Sequence, residues 1–293
     1  MEPYYAETED LAAQLAELKR RLDALRPLTS EQLQALWPML ENDSVYYTYA
    51  TNAIEGSSLT QGETLNILQY GVTVHGKPLR DHLDAVNGQT AFMKMLEMVK
   101  TGEPITEETV KDFHQMVSPQ TDKDGGLYKS AQNYVEGSPH VPTAPHKVRD
   151  RMKEAFWQYE KDVAEGKHPV VTAAKMHYEI ANVHPFRDDN GRTSPLVMNL
   201  HLLQNGYVPI SIDPNNRAAY LDALQKSSMS GDTLSGNPGR GNPAPFLVYM
   251  AGMEQRALSR YVDVLENNLG IPLNPNQKPK MPGSPEDGNS GHA

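Results

Sequence analysis

Nine consecutive residues, His184-Pro185-Phe186-Arg187-Asp188-Asp189-Asn190-Gly191-Arg192, constrain this chain more than any other stretch. Apolar residues at helical spacing flank them, His177 to Val183 before and Leu196 to Leu203 after. The polar run is therefore a loop between two helices, held by buried neighbours. It gathers a proton acceptor, two carboxylates, an amide, a glycine and a cation. Asn190-Gly191-Arg192 runs straight into the second helix, and a helix N-terminus with unpaired backbone N–H groups is a ready anion site. Phosphate is the ligand this points to.

The rest of the chain supplies supports for that loop. Leu11, Leu15, Leu18, Leu22 and Leu25 alternate spacings of four and three, which predicts a helix over 8–26. Its stripe packs on its own domain or, alternatively, makes a short helix–helix contact in a homodimer. Thr29 with Gln32 opens another helix, which Pro38 limits. Tyr46 to Gly56 reads as a helix closed by its glycine, with Glu55 oddly placed at the negative end of the dipole. Thr60 with Glu63 and, later, Thr106 are N-caps. Between them Leu83, Val86, Phe92, Met95, Leu96 and Val99 predict a buried helical face. Val148, Met152, Phe156, Tyr159 and Val163 mark a further helix. His177, two turns before His184, reads as a packed histidine.

Residues 119–145 are dense in Gly, Pro, Asp and Ser, with Tyr128, Tyr134 and Val135 as short strand positions. They predict a hairpin or flap, and His140 reads as a solvated loop residue. After the polar loop a buried helix ends at Asn205-Gly206, and 208–212 is extended. Asp213-Pro214 opens a helix through Tyr220 and Leu224, 227–243 is a loop, and Asn242-Pro243 starts the last helix, to about Leu265. Residues 267–293 have no apolar period and read as a disordered tail. Many capped helices against one hairpin give an all-α fold with a small β-hairpin flap. A helical extension, 1–44, precedes a main domain, 45–265.

Composition removes several functions. A net charge of −10 without a Lys/Arg cluster argues against nucleic acid. Cysteine is absent, which excludes disulfides and thiolate metal sites and suits a reducing compartment. No apolar run approaches the ~18 residues of a membrane span, so a soluble, cytoplasmic protein is expected.

The loop resembles the signature of Fic-domain proteins, H-P-F-x-(D/E)-G-N-G-R-x-x-R, and keeps every fixed position but two. Asp189 stands at a glycine position and Pro195 at the second arginine. Thr51-x-x-x-Glu55-Gly56 resembles the family's inhibitory motif, (S/T)-x-x-x-E-(G/N), which identifies 45–56 as an N-terminal inhibitory helix. Gly126-Leu127-Tyr128-Lys129 and Gly137-Ser138-Pro139-His140 resemble the family's flap over the nucleotide (126–143), with Lys129 in place of an arginine.

The resemblance implies a protein adenylyltransferase (AMPylase), autoinhibited by Glu55. In it, His184 deprotonates a Ser, Thr or Tyr of a target protein, which attacks the α-phosphate of ATP. Asp188 would hold Mg²⁺. Asn190, Gly191 and Arg192 would hold phosphates, Tyr220 would border the adenine, and Gly137, Ser138, Pro139 and His140 would meet the target. Asp189 adds negative charge beside the phosphates or recruits a second cation. If the helix starts at Ser194-Pro195, not at Asn190, the anion site is partly dismantled. A weak or inactive nucleotide- or partner-binding protein, a transferase with another phosphate donor, and a metal hydrolase on His184 and Asp188 are the alternatives.

Overall fold

The computed structural model describes residues 3–26, 30–118, 123–135, 137–229 and 241–268, with side chains from residue 10 and, in the second helix, from residue 42. The helices are α1 (Pro3–Ala24), α2 (Ser30–Ile54), α3 (Gln61–Tyr70), α4 (Leu79–Thr101) and α5 (Glu107–Val117). They continue as α6 (Pro145–Ala164), α7 (Pro169–Val183), α8 (Asn190–Gln204), α9 (Arg217–Met229) and α10 (Ala244–Asp263). α7 and α8 pack along each other and are shared by two apolar cores. One core joins Leu15, Leu18 and Leu22 of α1 to Tyr178, Met198, Phe246 and Leu258. The other joins Phe92, Met95, Phe113 and Met152 to Ile180, Phe186, Leu196 and Leu200. The polar loop leaves this shared pair at one end, so both cores brace it.

Local signals are realised where the caps are strong. Thr60 accepts from the Glu63 N–H at 3.2 Å while Glu63 accepts from the Thr60 N–H at 2.8 Å, and α3 ends at Gly71 with φ 64°. Thr106 closes its box with Thr109 instead of a glutamate. Asp213 accepts from the Asn215 N–H at 2.8 Å and starts a 3₁₀ turn, Pro214–Asn216, that leads into α9.

Several expectations are corrected. α1 buries its leucines against α10, which uses up the stripe offered for a homodimer. α2 does not stop at Pro38 but runs on to Ile54, so the segment 45–56 is the end of a longer helix; an interior proline removes one hydrogen bond, and the rest of a 25-residue helix carries it. On α4, Phe92 and Met95 are buried, whereas Leu79 (70% exposed), Leu83, Val86, Met93 and Leu96 form an outward stripe. Val163 is also exposed.

No strand forms among the described residues, so the described part of the flap does not form the expected β-hairpin. Pro139 and Pro142 lack the N–H groups a ladder needs, and the flap backbone bonds to the loop instead, Lys129 N–H to the Pro185 carbonyl at 2.9 Å. The extended piece 208–212 pairs with a side chain, Asn199, through both polar groups of Ile210. Residues 230–240, most of the expected 227–243 loop, and 269–293, most of the expected tail, lie outside the described residues.

A buried core carboxyl, Glu254, makes the stability of the fold depend on pH. Glu254 is fully buried; its Oε1 accepts from the Val208 N–H at 3.2 Å and its Oε2 has no partner. Burial pushes its pKa well above the carboxylate range. The folded state therefore holds a proton that the unfolded chain has released above about pH 4.5, and stability falls as pH rises through that window. Glu254→Gln should match the wild type in thermal unfolding near pH 4.5 and exceed it by about 1 kcal/mol or more at pH 8. Equal midpoints at both pH values would show that Glu254 is already ionised at no cost.

Candidate active site

His184 ends α7 in the left-handed conformation, φ 51° and ψ 60°, with its N–H on the Ile180 carbonyl at 2.9 Å. That turn directs the chain into the loop. Phe186 is wholly buried and stacks on His114 at 3.8 Å and 9°, anchoring the loop in the core. His114 accepts the Gly126 N–H at Nδ1 (2.9 Å) and donates from Nε2 to the Asp188 carbonyl (3.2 Å). The Asn190 side chain accepts from the Phe186 N–H (3.0 Å) and donates to the carbonyls of Phe186 (3.0 Å) and Asp188 (3.1 Å). The Asn190 side chain is thus a clasp that holds the loop shut on itself, while its backbone N–H stays at the start of α8.

The flap places a cation at the histidine. Lys129 is buried, donates to Asn133 Oδ1 at 2.6 Å, and has its pKa lowered to about 8 by burial. The His184 pKa falls to about 4, first from burial and then from the charges of Lys129 and His140. Its ring is therefore neutral at pH 7, with a lone pair free. His140 is half-buried and donates from Nε2 to the Asn182 carbonyl at 2.8 Å, and its own N–H meets Ser138 Oγ at 3.2 Å. It is not a solvated loop residue: it ties the flap to α7. Gly137 takes φ 74°, and Pro139 beside it is exposed.

Asp189 has φ 59°, which explains why the position suits glycine and tolerates an aspartate. Its buried carboxylate does not confront a ligand but receives Nε of Arg192 at 3.0 Å and Nη2 as well. Arg192 Nη1 donates to Asp84 Oδ2 at 2.9 Å. Arg192 is buried and held by two carboxylates, where the resemblance has it facing phosphates. Asp84 Oδ1 remains buried without a partner. Asp188 is open to solvent; its Oδ1 accepts from the Asp189 N–H at 2.9 Å and its Oδ2 from Arg80 at 3.0 Å. Burial raises its pKa, but the Asp189 amide and the two arginines outweigh this, and the net shift is downward.

α8 starts at Asn190, with Arg192 and Thr193 N–H turned back to the Asp189 carbonyl. Pro195 lies inside the helix and does not begin it, so the N-terminus expected as an anion site is intact. Glu55 covers that terminus. A Cβ on Gly191 would stand 1.9 Å from Glu55 Oε1, so only glycine admits the carboxylate there. Glu55 stands in an open cleft and keeps solvent on one side, yet enough protein surrounds it for burial to raise its pKa, with Asp188 and Asp189 adding to the rise and Arg192 and Arg217 opposing it. Among the described residues no ion pair within 4 Å joins Glu55 to Arg192, which Asp84 and Asp189 occupy.

Tyr220 lies behind α8 in the core, its hydroxyl 2.9 Å from His177 Nε2. The cavity it shares with Gly191, Pro195, Thr51 and Ile54 is about 10 Å³, room for at most a single water. An adenine does not fit there. His177 is wholly buried and packed, as expected.

Residues 104–202 match the Fic/DOC family model. The segment 104–202 is a Fic/DOC domain. The chain is 30% identical over 248 residues to "Protein adenylyltransferase Fic" of Aedes aegypti, covering 84% of this chain and 47% of that protein. The solved Fic-1 (residues 134–508) of C. elegans superposes with a TM-score of 0.72 at 25% identity, covering 89% of this chain and 74% of that one. A Fic domain containing signaling protein from Bacteroides thetaiotaomicron shares the fold, with a TM-score of 0.77 at 24% identity over 86% of this chain and 98% of its own. The chain spans about half the length of the curated relatives it matches.

Sequence reasoning singled out the loop, His184 and Glu55 but missed the residues that set their charge. Asp84 and Arg80 come from the first turns of α4, 108 residues in sequence from Arg192 and Asp188, respectively. Arg217 donates Nε to the Ile54 carbonyl at 2.8 Å and closes the end of α2 beside Glu55. The one available signal was a cluster, Arg80-Asp81-His82 with Asp84, at a helix start.

Proposed function

We propose that the chain transfers AMP from ATP to a hydroxyl of a target protein and that Glu55 restrains it. The observation that carries this is the Glu55 carboxylate resting on Gly191: an anion already occupies the N-terminus of α8, where a phosphate would sit. In the reaction, the target's hydroxyl oxygen bonds to the α-phosphorus, the bond to the bridging oxygen of pyrophosphate breaks, and His184 takes the hydroxyl proton. Bound phosphates would raise the His184 pKa from its resting value, since they favour the imidazolium.

Asp188 fits a divalent cation, because Mg²⁺ needs one or two carboxylates and takes its other ligands from water and phosphate; bound there, Mg²⁺ would neutralise charge on the phosphates. Among the described residues no three His, Asp or Glu converge, so a metal hydrolase lacks a ligand set. The flap, tied to His184's helix through His140, is where Gly137, Ser138 and Pro139 would meet an extended segment of the target.

A second reading has its own observation. Arg192, captured by Asp84 and Asp189, is withheld from phosphates, which favours a weak or silent nucleotide-binding protein. Incubation with labelled ATP, CTP, GTP and UTP, with and without Mg²⁺, decides between them. Label on the chain or on lysate proteins with ATP supports transfer, label from another nucleotide changes the donor, and binding without transfer supports the second reading. Asp188→Ala should abolish the Mg²⁺ dependence of ATP binding.

A homodimer, if formed, uses the outer face of α4 in place of α1. Leu79, Leu83, Val86 and Met93 lie along one side of it for roughly 21 Å, enough to pair with a second copy. A monomer in sedimentation at tens of micromolar would remove this assignment.

A further inference from the structure

We infer that Arg80 is the residue that holds the outer phosphates of the nucleotide, in place of the arginine missing at position 195. This rests on the nucleotide-binding reading above. A triphosphate carries several negative charges, and it enters a cleft that already holds the carboxylates of Glu55, Asp84, Asp188 and Asp189. Cations must offset both.

The cations of the cleft are not equally available. Arg192 is buried, with Nε and Nη2 on Asp189 and Nη1 on Asp84. Lys129 is buried on the His184 side of the loop, with Nζ on Asn133. Arg217 is also exposed, but it spends Nε on the Ile54 carbonyl at the end of α2 and lies against Glu55. Pro195 offers no charge and shares a cavity of about 10 Å³.

Arg80 differs. It is the second residue of α4, its side chain is 55% exposed, and it reaches the exposed Asp188 of the loop. Its guanidinium meets Asp188 at 3.0 Å, Asp84 at 3.6 Å and Asp189 at 3.9 Å. Only the pair with Asp188 is a close hydrogen bond, and Asp188 is the carboxylate best placed for a divalent cation. Asp188 cannot serve Arg80 and a cation equally. When it serves the cation, the planar fork of Arg80 loses its partner while still beside the loop, and a phosphate is the group it matches in geometry and charge. Without Arg80, Arg192 alone would face the acidic residues of α4 and the loop, and the entrance would repel an anion.

The experiment uses the full chain carrying Glu55→Gly, so that the α8 terminus is clear, with Mg²⁺ present. Calorimetry measures ATP, AMP and tripolyphosphate on this parent and on its Arg80→Ala and Arg80→Lys derivatives. Arg80→Ala should weaken ATP and tripolyphosphate by about 10-fold or more and AMP by less than about twofold, the loss of a charge-assisted bond to the outer phosphates alone. Arg80→Lys should recover part of the ATP affinity, because it keeps the charge and loses the fork. A misfolded or merely loosened site would weaken all three ligands together. An ATP-to-AMP affinity ratio unchanged by Arg80→Ala overturns the inference while leaving nucleotide binding intact. If ATP binds to none of the proteins, the nucleotide reading falls, and tripolyphosphate binding that depends on Arg80 would still support its role as a phosphate residue.

Discussion

His184→Ala should reduce transfer by about 100-fold or more and leave ATP affinity within about twofold, because a general base acts in the chemical step and not in ground-state binding. The structure sharpens this expectation. His184 is half-buried, neutral, and held at a left-handed turn where its ring faces Lys129 and Asp188. Its pKa of about 4 in the free protein means that the base is unprotonated far below neutrality. A profile of kcat/KM against pH reports free-enzyme groups, so its acid limb should lie well below the ordinary histidine value near 6.5. Activity is lost as pH falls through that limb. Lys129→Met should move the limb upward, since the lysine's charge contributes to the depression after burial. More than a tenth of wild-type transfer in His184→Ala would remove the assignment.

Glu55→Gly should raise both ATP affinity and transfer, by about 10-fold or more, as expected for removing a carboxylate that opposes a phosphate by roughly 1–4 kcal/mol depending on solvent access. The carboxylate stands on Gly191, so its removal clears the N–H end of α8. A pH test accompanies it. Burial raises the Glu55 pKa, so Glu55 takes up a proton at a higher pH than an exposed glutamate does. As pH falls through that raised value its charge disappears, and wild type and variant should converge in ATP affinity; as pH rises they should diverge. Adding Pro195→Arg to Glu55→Gly should improve ATP binding further, because it places a cation one turn along α8 from Gly191, where the Glu55 carboxylate has been removed. Equal affinity and equal transfer in wild type and Glu55→Gly would make Glu55 an ordinary residue at a helix end.

The elements legible in the sequence were those decided by local chemistry. Capping boxes at Thr60 and Thr106, glycine at 71 and the leucine stripe of α1 each act within a few residues, and each is found where the pattern puts it. The loop was legible for the same reason, because its residues are contiguous. α4 shows the limit: periodicity finds a helix, but its apolar residues lie on two faces, and only packing decides that Phe92 and Met95 go inward while Leu83 and Val86 do not. The flap failed because Tyr128, Tyr134 and Val135 have strand propensity without a partner strand, and the loop backbone supplies their neighbourhood instead. The pairing of Arg192 was not legible because it depends on Asp84, brought to it by tertiary structure alone. The clasp made by Asn190 was not legible because a side chain next to an anion site can equally serve the loop that builds it.

Asp189 carries a consequence for comparing this chain with its relatives. To the backbone, aspartate and glycine are close substitutes at φ 59°. To Arg192 they are opposites, since only one of them takes hold of the guanidinium. A position-by-position alignment scores the exchange as a lapse from the signature, yet it changes the charge balance of four side chains at once: residues 80, 84, 189 and 192. Those positions are expected to vary together, so that relatives with glycine at 189 differ also in what stands at 80 or 84, and a variant that reverts 189 alone inherits an arginine with half its counter-charge gone.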